Sequence, residues 1–300
     1  MIGLWFCLFC FCVSTPLSVF IGIAVLKSPK PHARSYYKIL VFTVIMNSLA
    51  WVNYFMAMQL PLATCGACFL AYVLPYIPWP ISSVLAAGIC YFNYIHFSCI
   101  LLLSINRFSY VFFQLAYETI WKTPLNYVFL ITVLWPIIAV GHDAMTETAF
   151  VYFNYADMHR IESVLPDRKF NDPIVYFFTC IGFILLTFTC NVVTLVRVVL
   201  RFRYYKHSSR TEEIRLVVFN HVYFSITSIF AINSLFVAVP NASFIPTYLY
   251  SFFFQLVCLS PPFLMLVCSP TLRKDVRKRF CNNRTDVLNN AFVMETSSSQ

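Results

Sequence analysis

Asn93, His96 and Arg107 are the versatile side chains of a stretch that has few others. With Ile100 and Leu103 between them, the steps along the chain are 3, 4, 3 and 4 residues. That spacing draws one stripe along a helix. An amide, an imidazole and a guanidinium on one stripe offer donors, an acceptor and a fixed positive charge. Such groups can contact a ligand, bond between helices or anchor a helix end at the interface; they are not a catalytic apparatus. The six histidines are scattered, no carboxylate falls inside a long apolar run, and neither His-x-x-x-His nor Gly-x-Ser-x-Gly occurs. No metal or cofactor site is expected.

The run that carries this stripe has no formal charge from residue 39 to residue 106 and ends at Arg107. Apolar residues are 60% of the 300-residue chain and charged ones 11%, against about 45–50% and 25% in soluble domains. The expectation is an integral membrane protein, all-α, in which helices of about 20 apolar residues cross the bilayer. Spans are predicted at about 4–26, 39–58, 83–105, 125–141, 173–196, 216–238 and 245–268. A cytoplasmic amphipathic segment and polar tail, 273–300, should follow. Residues 216 to 272 are uncharged and too long for one helix, and Val239 to Pro246 supplies the turn. Pro61, Pro75, Pro78 and Pro80 leave no spanning helix between residues 59 and 82, so this apolar segment reads as an external loop, on the interface or membrane-embedded. Residues 1 to 26 read as a retained first helix, because the basic residues follow the run rather than precede it.

Charge sets the orientation. With seven spans, one side carries 18 of the 21 Lys and Arg residues and the other only Arg160, Arg168 and Lys169. The positive-inside rule puts the amino terminus outside and the carboxy terminus inside. The net charge of +9 therefore belongs to topology, and nucleic acid is not an expected partner. Nine of the 12 cysteines lie in apolar runs, where Cys acts as a small hydrophobe. Cys65 and Cys68 form the one paired spacing on the outside, open to bridging, to pairing elsewhere or to staying reduced. Cys281 follows a basic amphipathic segment and is a candidate for palmitoylation.

Two blocks carry a resemblance. Leu101-Leu-Leu-Ser-Ile-Asn-Arg-Phe-Ser109 followed by Tyr117-Glu-Thr-Ile-Trp121 resembles the third-helix signature of the nematode serpentine chemoreceptors. Ser35-Tyr-Tyr-Lys-Ile-Leu-Val-Phe42, Asn47, Asn53 and Gln59-Leu-Pro61 are similar to the second-helix region of their gamma class. The resemblance implies a seven-helix G-protein-coupled receptor for a small-molecule odorant or pheromone. Its partners would be a heterotrimeric G protein, the ligand and the lipid bilayer, in the plasma membrane of sensory cilia. Departures from rhodopsin-like receptors are clear. Asn106 stands where an acid would precede Arg107, the second external loop has no Cys, and Ser260-Pro-Pro262 replaces an Asn-Pro pair.

On this reading Asn106 and Arg107 form the coupling switch, with Glu212 and Glu213 as resting partners of Arg107. The bland alternative for Arg107 is an interfacial anchor. Asn53, Asn93, His96, Asn233 and Gln255 are candidates to contact a ligand in a shared cavity, with interhelical hydrogen bonding as the plain alternative. Asn47 and Asn191 read as structural. A seven-helix ligand-gated channel or a small polytopic transporter is the rival function. It is disfavoured by the charge split and by the lack of two related halves.

Overall fold

The computed structural model describes residues 2–26, 34–62, 72–122, 124–153, 158–164, 173–204, 211–238, 244–268 and 273. Cys65, Cys68 and Cys281 lie outside the described residues, and only the backbone of Glu212 and Glu213 is described. Long apolar helices form a seven-helix bundle: α1 Ile2–Leu26, α2 Arg34–Tyr54, α3 Trp79–Phe112, α4 Leu125–Ala144, α5 Pro173–Tyr204, α6 Thr211–Ala238 and α7 Phe244–Cys268. From α2 to α7, each holds a stretch long and apolar enough to cross a membrane. Helix α1 has 25 residues, or about 38 Å at 1.5 Å per residue, which exceeds a hydrocarbon core of about 30 Å.

Helix α3 has 34 residues and outruns its apolar stretch at both ends. It starts against Pro78 and Pro80 because the first turn of a helix has no use for their missing N–H groups. It continues beyond Arg107 because Arg is a good helix former, and because neighbouring helices bury this arginine. Helix α2 widens into a π turn over Phe55–Gln59, where the Leu60 N–H bonds the Phe55 carbonyl. Pro61 follows directly, without the N–H that would reach Ala57.

The polar stretch after α4 folds into a hairpin, β1 Thr148–Phe153 and β2 Met158–Ser163, with Thr148 opposite Ser163. Its β1 segment, Thr-Ala-Phe-Val-Tyr-Phe, suits a strand. Hydroxyl groups fasten it to the start of α3. Ser82 Oγ donates to the Thr148 carbonyl at 2.7 Å and Ser83 Oγ to the Thr146 carbonyl at 2.5 Å. Thr148 Oγ1 also donates to Ser82 Oγ at 3.0 Å.

Helix α3 is the axis of the bundle, packed on α2, α4 and α5 and more lightly on α6. Helix α7 closes the other side against α6, α1 and α2. Leu130, Ile131, Leu134 and Ile138 on α4, with Leu185, Leu186 and Phe188 on α5, face outward. Such a continuous apolar exterior needs an apolar cover, and the bilayer supplies it. The chain is a multi-pass membrane protein.

Candidate functional site

Polar side chains inside the bundle form three groups along α3: around Asn93, one turn on around His96, and around Arg107. Arg107 is buried, with 6% of its surface exposed. Its guanidinium carbon lies 3.5 Å from the centroid of the Tyr36 ring, well within the range of a cation–π contact. Tyr36 Oη donates to Asn220 Oδ1 at 2.9 Å. One chain of contacts thus runs from α3 through α2 to α6. Nε and Nη2 of Arg107, Nδ2 of Asn106 and Nδ2 of Asn220 are buried without a hydrogen-bond partner. A buried donor left unmade costs about 1–3 kcal/mol, and more when charged. This end of the bundle holds a surplus of N–H groups.

Asn106 itself is fully buried, and its Oδ1 accepts from Tyr117 Oη at 3.1 Å. Trp121 Nε1 donates to Ser109 Oγ at 2.9 Å. Tyr117 and Trp121 are four apart on the short helix Tyr117–Lys122, so both point the same way. The two sequence blocks that stood out are therefore one structural unit. An amide suits position 106 better than an acid here, since it accepts a neutral phenol without burying a charge. Burial pushes the Tyr117 pKa up, which keeps the hydroxyl a donor.

At mid-helix, His96 Nδ1 faces Asn47 Oδ1 at 3.0 Å and Nε2 faces Thr227 Oγ1 at 3.4 Å. Asn47 Nδ2 donates to Tyr223 Oη at 2.8 Å and to the Val257 carbonyl at 3.5 Å. With Asn47 Oδ1 left as acceptor, Nδ1 of His96 carries the proton. The Val257 carbonyl is available because Pro261, four residues on, has no N–H to give it. Asn47 and Tyr223 take it instead. This net ties α2, α3, α6 and α7 together beside the Ser260-Pro-Pro262 segment.

One turn from His96 toward the hairpin, Asn93 Nδ2 donates to Tyr176 Oη at 3.3 Å and to Tyr250 Oη at 3.2 Å. Its Oδ1 is buried without a partner. Tyr54, Tyr94, Phe97, Phe230 and Phe254 belong to the same buried cluster. Tyr54 Oη pairs with Ser251 Oγ at 2.6 Å.

The other expected contacts are divided. Asn53 Nδ2 donates to the Leu85 carbonyl at 3.1 Å, against Gly88, where an added Cβ would meet Asn53 Oδ1 at 2.5 Å. Asn233 is buried on α6. Gln255 lines a groove between α1 and α7, apart from Asn93. One shared cavity for all five is not what the fold builds, because Gln255 lines the groove beside α1 whereas Tyr250 and Phe254 pack into the buried cluster. Tyr36, Asn220, Tyr176 and Tyr223 escaped the sequence reading. Among 32 Phe and 18 Tyr no single ring stands out, and a pair such as Tyr36 and Asn220, 184 residues apart, leaves no local signal.

The profile of the Srg family chemoreceptors matches residues 4–276. No curated protein matches closely enough to count as a relative. The match covers all seven helices, the buried Asn106-Arg107 pair and the Tyr117–Trp121 unit, and the chain belongs to the Srg chemoreceptor family.

Proposed function

We propose that this chemoreceptor detects a small organic molecule and passes the signal to a heterotrimeric G protein. It would do so with its amino terminus outside and the Arg107 end in the cytoplasm of a sensory cilium. One observation carries the coupling: Arg107 is buried with two guanidinium nitrogens, Nε and Nη2, lacking a hydrogen-bond partner. Such donors find acceptors once a partner enters. At rest the guanidinium is held by the Tyr36 face, and Tyr36 is held by Asn220 of α6. Outward movement of α6 withdraws Asn220, loosens Tyr36 and frees Arg107. Glu212 and Glu213 stand about two turns before Asn220 on α6, where they would add to the resting hold.

Asn93 is the interior ligand contact of this reading, with its carbonyl oxygen awaiting a donor. His96 reports on α6 through Thr227. The test is nucleotide exchange on G-protein α subunits in membranes bearing the receptor, with a panel of volatile ligands. An activating ligand should lose its effect with Arg107→Ala at equal surface expression. Glu212→Ala with Glu213→Ala should raise exchange without ligand. If no α subunit exchanges nucleotide with any ligand or with that double variant, the coupling reading fails.

A further inference from the structure

The groove between α1 and α7 measures about 510 Å³, and Phe9, Val13, Phe252, Leu256 and Phe263 form its walls. Among the described residues none that lines it is charged. Phe9 and Phe252 are 67% and 56% exposed, so the groove opens sideways to the hydrocarbon rather than into the bundle. At its base Ser14 Oγ donates to the Leu259 carbonyl at 3.1 Å and fastens α1 to α7. Among the described residues two polar side chains line it, Gln255 and Ser260, and Ser260 Oγ is buried without a hydrogen-bond partner.

Gln255 lies near the middle of α7, Phe244–Cys268. An amide at that depth on a lipid-facing wall has neither water nor backbone to bond, and polar groups so placed mark ligand pathways. A covering phospholipid does not help. Its polar part stays at the interface, about 15 Å away across half of the hydrocarbon core. From Phe252 to Leu264 the groove runs about 18 Å, so 510 Å³ gives a mean section of about 28 Å², room for no more than the ridge of a second helix. That section suits one alkyl chain.

We propose that this groove is a lateral binding site for a neutral, slender amphiphile, a long-chain alcohol, ketone or amide, that arrives through the bilayer. Its single polar group sits at mid-depth between the Gln255 amide and Ser260 Oγ, and its chain lies along Phe252, Leu256 and Phe263. The site goes beyond the interior contacts at Asn93. It rests on the receptor reading only for why such a molecule matters.

The experiment uses the full chain in lipid nanodiscs and two photoreactive probes, a diazirine-bearing 1-dodecanol and the matching dodecane. The alcohol should label α1 and α7 peptides, and Gln255→Leu should lower that labelling by roughly three- to tenfold, the worth of one membrane hydrogen bond. Dodecane labelling should not change. Val13→Phe, which fills the groove and leaves the amide intact, should reduce labelling by both probes. Equal labelling by alcohol and alkane, or full alcohol labelling of Gln255→Leu, overturns the proposal. So does Gln255→Cys if it cross-links two copies of the chain through the groove. No G protein enters the readout, so failure of coupling and failure of the site are told apart.

Discussion

Arg107 shows how a single residue acquires a role from its neighbours. An arginine at the end of an apolar run reads equally as an anchor that snorkels to the interface. Burial beneath the Tyr36 ring removes that option. Tyr36→Phe keeps the ring and deletes the bond to Asn220, whereas Tyr36→Leu deletes both. Basal nucleotide exchange should therefore rise modestly for Tyr36→Phe and further for Tyr36→Leu. If both match wild type, Tyr36 is packing and not a clamp. Gly88 offers a stability counterpart. Its Cβ would displace the Asn53 amide, so Gly88→Ala should lower the melting temperature in detergent by the equivalent of about 0.6–1.7 kcal/mol. Asn53→Ala in the same chain should restore much of it. An unrestored double variant would point to the backbone of α3 rather than to the Asn53 bond.

At the scale of elements, the short helix Tyr117–Lys122 is held by two side-chain bonds to α3, from Tyr117 and from Trp121. Tyr117→Phe with Trp121→Phe keeps the rings and removes both donors. Amide exchange over residues 113 to 121 should then quicken several-fold while the middle of α3 stays protected. Unchanged exchange there would mean that ring burial alone seats the helix. The hairpin illustrates a different kind of fastening. Ser82, Ser83 and Thr148 hold it to α3 by hydroxyl bonds in a loop without cysteine. Serine and threonine are too common in polar loops for that role to be read from the chain. The strand propensity of Thr148–Phe153 is visible locally, but its partner Met158–Ser163 lies in a segment that composition marks only as polar.

For the whole molecule, sidedness is the property on which the receptor reading depends. Tags on the two termini, probed before and after permeabilising cells, should show the amino terminus outside and the carboxy terminus inside. Both termini on one side would break the seven-span count and favour a transporter or channel. The bundle has a division of labour around α3. The hairpin end is packed with tyrosines and phenylalanines, the middle is cross-linked by neutral polar groups, and the far end holds unpaired donors. Movement of α6 changes all three levels at once, because it contributes Phe230, Thr227 with Tyr223, and Asn220 to them in turn.

By itself the sequence determined that this chain lives in a membrane as a bundle of long helices. Lipid leaves a backbone few ways to satisfy its hydrogen bonds, and charge-free runs of the necessary length state the result locally. The Asn106-Arg107 and Tyr117–Trp121 blocks were legible too, since they are compact in the chain. Only the tertiary structure decided what the polar residues touch. It gave Arg107 to Tyr36, His96 to Asn47 and Asn93 to two tyrosines, and it turned Gln255 outward to lipid. Those pairings depend on the rotation of each helix about its axis. The α3 stripe from Asn93 to Arg107 shows in the sequence and is buried, but the other helices have no such polar face to set their rotation, so contacts far apart in the chain settle it.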